Sequence, residues 1–124
     1  MPLVVCGTPI GDVDDASPRL AAVLASADVV AAEDTRRLRA LARRLDIAIP
    51  GRVVSYFAGN EAGRLADLMR ALTAGATVAL VTDAGMPAVS DPGYLLVRAA
   101  IEAEVAVSVV PGPSAVTAAL AVSG

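Results

Sequence analysis

The sequence contains no histidine, no lysine and no tryptophan, and all ten of its basic residues are arginine. Without histidine, the common zinc and iron ligand sets and the usual neutral-pH general base are missing. Cysteine is represented only by Cys6. No intramolecular disulfide is therefore available, and a single thiol builds no metal site, so no metal is expected. Aromatic residues are almost absent, with two Tyr and one Phe, yet 56% of the chain is hydrophobic. Such a core must be made of Ala, Val and Leu, which suits helices packed closely on a parallel sheet. The net charge of −3 argues against binding nucleic acid by bulk charge, although it leaves room for a local basic face. The N-terminus lacks a charged segment followed by an apolar one, so no signal peptide is expected and the chain reads as cytoplasmic. From Val105 to Gly124 there is no charge, a length comparable to a membrane span. Pro111-Gly112-Pro113 breaks that run, and both halves fit a soluble fold, so no membrane association is expected.

The 124 residues suffice for one domain with a real core. Five apolar runs read as strands: Leu3–Cys6, Asp28–Ala32, Val53–Tyr56, Ala76–Val81 and Val105–Val110. Helical patterns separate them. Ser17-Pro18 supplies an N-cap and a first-turn proline, and Leu20, Val23 and Leu24 form a buried stripe. Asp34 or Thr35 caps a second helix whose Leu38, Leu41, Ala42 and Leu45 recur at helical spacing. Asn60 is read as the cap of a third helix, which Gly75 ends. Tyr94–Ala103 forms a fourth. Ser114–Val122 forms a fifth, small on every side, which should pack deep or against another chain. Alternating strands and helices predict an α/β three-layer sandwich, with a mostly parallel five-stranded sheet flanked by helices. Cys6 falls in a buried strand.

The organising stretch runs from Thr82 to Gly93 and leaves the carboxyl end of the fourth strand, the edge where open α/β sheets bind ligands. Gly85 and Gly93 permit positive φ, Pro87 and Pro92 stiffen the backbone, and Asp83, Ser90 and Asp91 supply polar groups. Turns use the same residues. Twelve residues are long for a plain connection, however, and long ordered loops are usually functional. Loops at Gly7–Asp12, Glu33–Thr35 and Pro111–Ser114 share that edge if the sheet forms as read. None is a phosphate loop or a dinucleotide fingerprint. Their carboxylates, hydroxyls and backbone groups suit an ammonium, a sulfonium or ribose hydroxyls better than a polyphosphate.

Five pieces in order carry a family resemblance: Gly7-Thr8-Pro9-Ile10-Gly11, Ala32-Glu33-Asp34-Thr35-Arg36, Asp83-Ala84-Gly85-Met86-Pro87, Ser90-Asp91-Pro92-Gly93-Tyr94 and Pro111-Gly112-Pro113-Ser114-Ala115. Together they resemble the tetrapyrrole methylase superfamily of S-adenosylmethionine methyltransferases. The Glu-Asp-Thr-Arg and Ser-Asp-Pro-Gly-Tyr pieces are most similar to the small-subunit ribosomal RNA cytidine 2′-O-methyltransferases. The resemblance implies that residues 1–124 are the N-terminal domain of a two-domain enzyme, with a C-terminal domain following. It implies S-adenosylmethionine as cofactor in the cleft between the domains, and rRNA or the small ribosomal subunit as partner. On this resemblance Asp83, Ala84, Gly85, Met86, Pro87, Pro111, Gly112, Pro113 and Ser114 bind the cofactor. Thr8, Pro9, Gly11, Asp12, Arg36, Ser90 and Tyr94 line the substrate side. The pattern departs at Met86, where relatives commonly carry Thr, and at Ala88, where they commonly carry Gly.

Methylating a ribose hydroxyl requires something to take its proton. With no His or Lys, only carboxylates are on offer: Glu33, Asp34 and Asp91. Each has a structural alternative, with Asp34 as a helix cap, Asp91 as a turn residue and Glu33 as the partner of Arg36. Arg36, Arg37, Arg39, Arg43 and Arg44 form either a solvated helix face or a phosphate-contacting ridge, in which Arg36, Arg39 and Arg43 would meet RNA. A tetrapyrrole (precorrin-type) methyltransferase and a non-catalytic binding or dimerisation module are the competing readings. Alone, the domain is expected to be inactive and to expose apolar surface on the Ala115–Val122 helix. It would then form a homodimer.

Overall fold

The computed structural model describes residues 2–89 and 92–124. Strands β1 (Leu3–Cys6), β2 (Val29–Ala32), β3 (Arg52–Ser55), β4 (Val78–Val81) and β5 (Val107–Val110) form one sheet in the order β3-β2-β4-β1-β5, parallel throughout. The strands start flush: Val78 stands opposite both Leu3 and Val29, Leu3 opposite Val107, and Val29 opposite Arg52. Each strand has four residues, so their carboxyl ends also line up along one edge. That alignment brings the loops together.

Alternation along each strand sends its apolar residues to both faces. Leu3, Val5, Val29, Ala31, Val78 and Leu80 pack with Leu68 and Leu72 of α3 (Glu61–Thr73) and Leu96 and Ala100 of α4 (Tyr94–Glu102). Val4, Cys6, Val30, Ala32, Ala79 and Val81 pack with Leu20 and Leu24 of α1 (Pro18–Ser26) and Leu38 of α2 (Thr35–Arg44). Each fully buried leucine contributes about 1.5–3 kcal/mol of transfer free energy. The three-layer α/β sandwich expected from the sequence is present.

Several boundaries move, for identifiable reasons. β4 and β5 begin later than read because Ala76 and Val105 close the preceding helices, donating their N–H groups to Ala71 O at 3.0 Å and Ala100 O at 2.8 Å. The left-handed residue that such a helix end needs is Gly75 in one case (φ +92°) and Glu104 (φ +56°) in the other. β3 starts one residue earlier than read, and Tyr56 falls outside it. Asn60 stands at the cap position of α3 without capping it. Its Oδ1 instead accepts Phe57 N–H at 2.8 Å and its Nδ2 donates to Ser55 O at 3.2 Å, closing the β3–α3 turn. A short 3₁₀ turn at Val13–Asp15, absent from the sequence reading, is capped by Asp12.

The last helix, α5 (Ala115–Ser123), has no buried residue. It does not pack deep. Val116, Leu120 and Val122 are exposed, and so are Val107 and Val109 of the neighbouring edge strand. The uncharged C-terminal run is thus an edge strand and a short helix, and among the described residues no helix is long and apolar enough to cross a membrane.

Two local features generate predictions. A Cβ on Gly7 would lie 2.6 Å from Gly112 Cα, where backbone meets backbone and neither side can yield. Gly7→Ala is expected to lower stability by about 1–3 kcal/mol, the usual cost of overpacking, read as a lower urea midpoint with an unchanged m-value. Asp34 caps α2, accepting the N–H groups of Arg36 at 2.9 Å and Arg37 at 3.4 Å. Those amides hold its carboxyl below its ordinary value of 3.8. A depressed carboxylate contributes stability above that ordinary value and loses it as pH falls through the folded value. Asp34→Asn keeps a capping oxygen but does not titrate. Wild type should therefore lead the variant by a constant margin above about pH 4, and the margin should shrink in thermal melts at lower pH.

Candidate active site

At the carboxyl edge β1 and β4 run on into a reciprocal backbone pair. Thr8 N–H donates to Gly85 O at 3.0 Å, and Gly85 N–H donates to Thr8 O at 3.1 Å. The pairing is antiparallel, so the loop after β4 doubles back over the end of β1. Thr8 is buried, and its Oγ1 donates to Thr82 O at 3.3 Å. Gly7 lets the Pro111–Ser114 turn approach: its absent Cβ would also meet Met86 Sδ at 2.7 Å. The Cys6 thiol below is fully buried, which pushes it up to about 12. It plays no acid–base or nucleophilic part at neutral pH.

This pairing separates two cavities. The first, about 270 Å³, is lined by Thr8, Pro9, Gly11, Asp34, Arg37, Arg44, Thr82, Asp83 and Ala84, with Leu38 and Leu41 at its apolar side. The second, about 150 Å³, is lined by Ile10, Ala84, Gly85, Met86, Val89, Ser114, Ala115 and Val116. An open hollow continues it past Gly112 and Pro113. Ala84 faces both cavities. The first therefore gathers Thr8, Pro9 and Gly11 from the expected substrate side together with Asp34. The second joins Ala84, Gly85 and Met86 to Ser114, two expected cofactor segments distant in sequence.

The carboxylates divide by what already holds them. Glu33 Oε1 accepts the Asp83 N–H at 3.2 Å, so Glu33 ties the β4 loop to the end of β2 and is not the partner of Arg36. Arg36 reaches Asp34 instead, Nε to Oδ1 at 3.5 Å. Asp34 thus spends one oxygen on two amides and a guanidinium. The Asp83 side chain accepts no hydrogen bond from any described donor. Its Oδ1 and the neighbouring Thr82 Oγ1 are buried without a partner. The Arg37 Nε stands 3.9 Å from Asp83 Oδ2.

The far end of the loop is anchored by a residue that sequence reasoning did not single out. Glu61 Oε1 accepts both the Tyr56 hydroxyl at 3.0 Å and the Gly93 N–H at 3.1 Å. Burial and the Glu61 carboxylate raise the Tyr56 phenol above its ordinary value, so it stays a donor. Gly93 has φ +131°, and a Cβ there would meet Leu80 Cδ2 at 2.8 Å. Ala88 adopts φ +67°, a left-handed conformation that glycine takes more readily. Tyr56 lies only five residues from Glu61, but the bond to Gly93 spans 32 residues, and no local spacing announces it.

The remaining expected residues fall as follows. Arg36, Arg39 and Arg43 line neither cavity; they form an outer row on α2, spaced three and four apart. Arg37 and Arg44, seven apart and so on one helical face, reach the first cavity alongside Leu38 and Leu41. That heptad spacing was visible in the sequence. Asp12 caps the 3₁₀ turn, Tyr94 is exposed at the start of α4, and Pro87 and Pro111 line neither cavity. Ser90 and Asp91 lie outside the described residues. Among the described residues no cluster of three or more His, Cys, Asp or Glu is placed to hold a metal ion.

Residues 2–124 match the family model of the tetrapyrrole (corrin/porphyrin) methylases. Proteins named ribosomal RNA small subunit methyltransferase I are similar along nearly the whole chain. That of Mycobacterium tuberculosis is 62% identical over 98% of this chain, which spans 43% of that protein. Those of Thermotoga maritima and Xylella fastidiosa are 43% and 45% identical over 98% of the chain, which spans 54% and 44% of them. The chain thus covers about half the length of these curated relatives. By its matched length and these identities the chain belongs to the tetrapyrrole methylase family.

Proposed function

We propose that this chain is the N-terminal half of a two-domain, S-adenosylmethionine-dependent methyltransferase acting on the ribose 2′-hydroxyl of a cytidine in small-subunit rRNA. The observation that carries the reading is that two cavities at the carboxyl edge share Ala84 in their linings, one serving as the donor side and the other as the acceptor side. The names of the relatives support the RNA substrate.

The second cavity fits half of the cofactor. Small-molecule sites usually enclose about 300–1,000 Å³, and this one encloses about 150 Å³. Its rim is apolar, with Ile10, Val89 and Val116 exposed. A second domain covering that rim and the exposed face of α5 would complete the site. S-adenosylmethionine supplies a methyl group made electrophilic by its sulfonium. The Ala84–Met86 backbone and Ser114 would hold it, with the close Gly7–Gly112 backbone contact keeping the Pro111–Ser114 turn near the end of β1. The reciprocal Thr8–Gly85 pair fixes the wall, so the ordering cost is met on folding and not on binding. On the acceptor side, the outer row of Arg36, Arg39 and Arg43 forms no ion pair among the described residues apart from that of Arg36 with Asp34. It is the part of the surface suited to RNA phosphates.

Calorimetric titration of S-adenosylmethionine is expected to show binding to the two-domain polypeptide and much weaker or no binding to the 124-residue chain. Methyl transfer to the small ribosomal subunit should yield 2′-O-methylcytidine on nucleoside mass spectrometry. A two-domain polypeptide that does not bind S-adenosylmethionine would overturn the assignment. Replacing Arg36, Arg39 and Arg43 with Gln should lower the slope of log affinity for RNA against log salt by roughly 2, at about 0.7–0.9 per lost phosphate contact. An unchanged slope removes those arginines from the interface.

A further inference from the structure

We propose that Asp83 is the catalytic proton acceptor for the hydroxyl that is methylated. The assignment rests on the ribose-methylation reading above and goes beyond it, because the family resemblance places this residue only on the cofactor side.

Among the carboxylates at this edge of the sheet, Glu33 and Asp34 follow the end of β2 and Asp83 follows the end of β4, and their surroundings separate these three. Glu33 accepts the Asp83 N–H and does not line the first cavity. Asp34 lines it, but its Oδ1 is engaged by two amides and by Arg36. Asp83 lines the cavity and its side chain accepts no hydrogen bond from a described donor. One oxygen, Oδ1, is buried without a partner, while the side chain as a whole remains 31% exposed. The accessible oxygen is therefore Oδ2. Among the described residues the one cationic group within 4 Å of it, Arg37 Nε at 3.9 Å, is beyond hydrogen-bond range. Buried polar groups are ordinarily satisfied. A carboxylate left with open acceptor positions at a cavity wall is built to receive a proton donor from that cavity.

Its position also suits the reaction. The next residue, Ala84, faces the second cavity as well as the first, so the carboxylate stands beside the boundary that the methyl group must cross. The Asp83 N–H bond to Glu33 and the Thr82 O bond from Thr8 Oγ1 hold the peptide that enters Asp83 at both its amide and its carbonyl. Such a tether keeps a base within reach of its proton. Asp83 Oδ2 takes the hydroxyl proton, the hydroxyl oxygen forms its bond to the methyl carbon, and the S–C electron pair remains on sulfur. The sulfonium becomes a neutral thioether, and Asp83 later releases the proton to water.

The test uses the two-domain polypeptide and Asp83→Asn, which keeps the shape and the backbone N–H. Asn should lower kcat for methyl transfer by about 10²–10⁴-fold while the Kd for S-adenosylmethionine stays within about threefold of wild type, which also shows the variant to be folded. A second readout needs no cofactor. Wild type should bind an RNA carrying the target ribose about tenfold or more tightly than the same RNA with a 2′-deoxy target, as expected for a hydrogen bond to a charged acceptor. Asp83→Asn should reduce that ratio towards one. Several outcomes overturn the assignment: a variant retaining a tenth or more of wild-type kcat, a parallel loss of cofactor affinity, an unchanged ribose preference, or the large loss appearing in Asp91→Asn and not in Asp83→Asn. Wild type that methylates no RNA overturns the RNA reading and this assignment together. Active wild type with an equally active Asp83→Asn variant overturns this assignment alone.

Discussion

The two hydrogen bonds between Thr8 and Gly85 decide how the functional edge is organised. Parallel strands that end flush would otherwise release their loops independently into solvent. Here the exit of β1 and the exit of β4 are stitched in the antiparallel sense, and the loop after β4 is folded back as a wall. The side chain of Thr8 tightens the same junction through Thr82 O. Gly7 and Gly112 permit the third exit, from β5, to come within backbone contact of the first. A Cβ at either position would push the Pro111–Ser114 turn away and open the second cavity.

Around this junction, carboxylates serve more often as acceptors for backbone amides than as free charges. Glu33 holds the start of the β4 loop, Glu61 holds its end, and Asp34 starts α2. Each bond neutralises an amide donor that would be costly to leave unmet. The described ends of this loop are thus fixed by groups on separate elements. Against this background Asp83 is conspicuous by contrast, since its own carboxylate has no hydrogen-bond donor among the described residues while its amide is held.

Apolar surface concentrates on the opposite side of the second cavity. β5 is an edge strand whose central residues are exposed, and α5 buries none of its residues. The rim of the cavity and this face are continuous through Ala115 and Val116. Contiguous apolar surface of this kind marks an interaction site. The proposed second domain therefore meets the chain where the small cavity is incomplete, and one set of contacts would serve both packing and ligand enclosure.

Much of this was legible in the sequence. Alternating apolar runs and helical stripes specify the α/β sandwich because burial at period two and at period 3.6 is a local property of the chain. Gly75 as a helix end, Asp34 as a cap and the buried Cys6 were readable for the same reason. The motif order pointed to the edge where the two cavities lie. Other features depended on distance in space. Asn60 has the composition of a cap, yet the turn before it claims its side chain, and Glu104 ends a helix where glycine would be expected. Glu33 and Glu61 find their partners across 50 and 32 residues, and no spacing rule reaches that far. Arg37 and Arg44 were separated from Arg36, Arg39 and Arg43 only by the rotation of α2 against the sheet. The sequence by itself determined the layers, the edge and the chemical types available there, because these follow from local periodicity and composition. Only the tertiary structure decided which carboxylates are already hydrogen-bonded and which one lines a cavity with no hydrogen-bond donor among the described residues, because hydrogen-bond satisfaction is settled by the packing of segments that are remote along the chain.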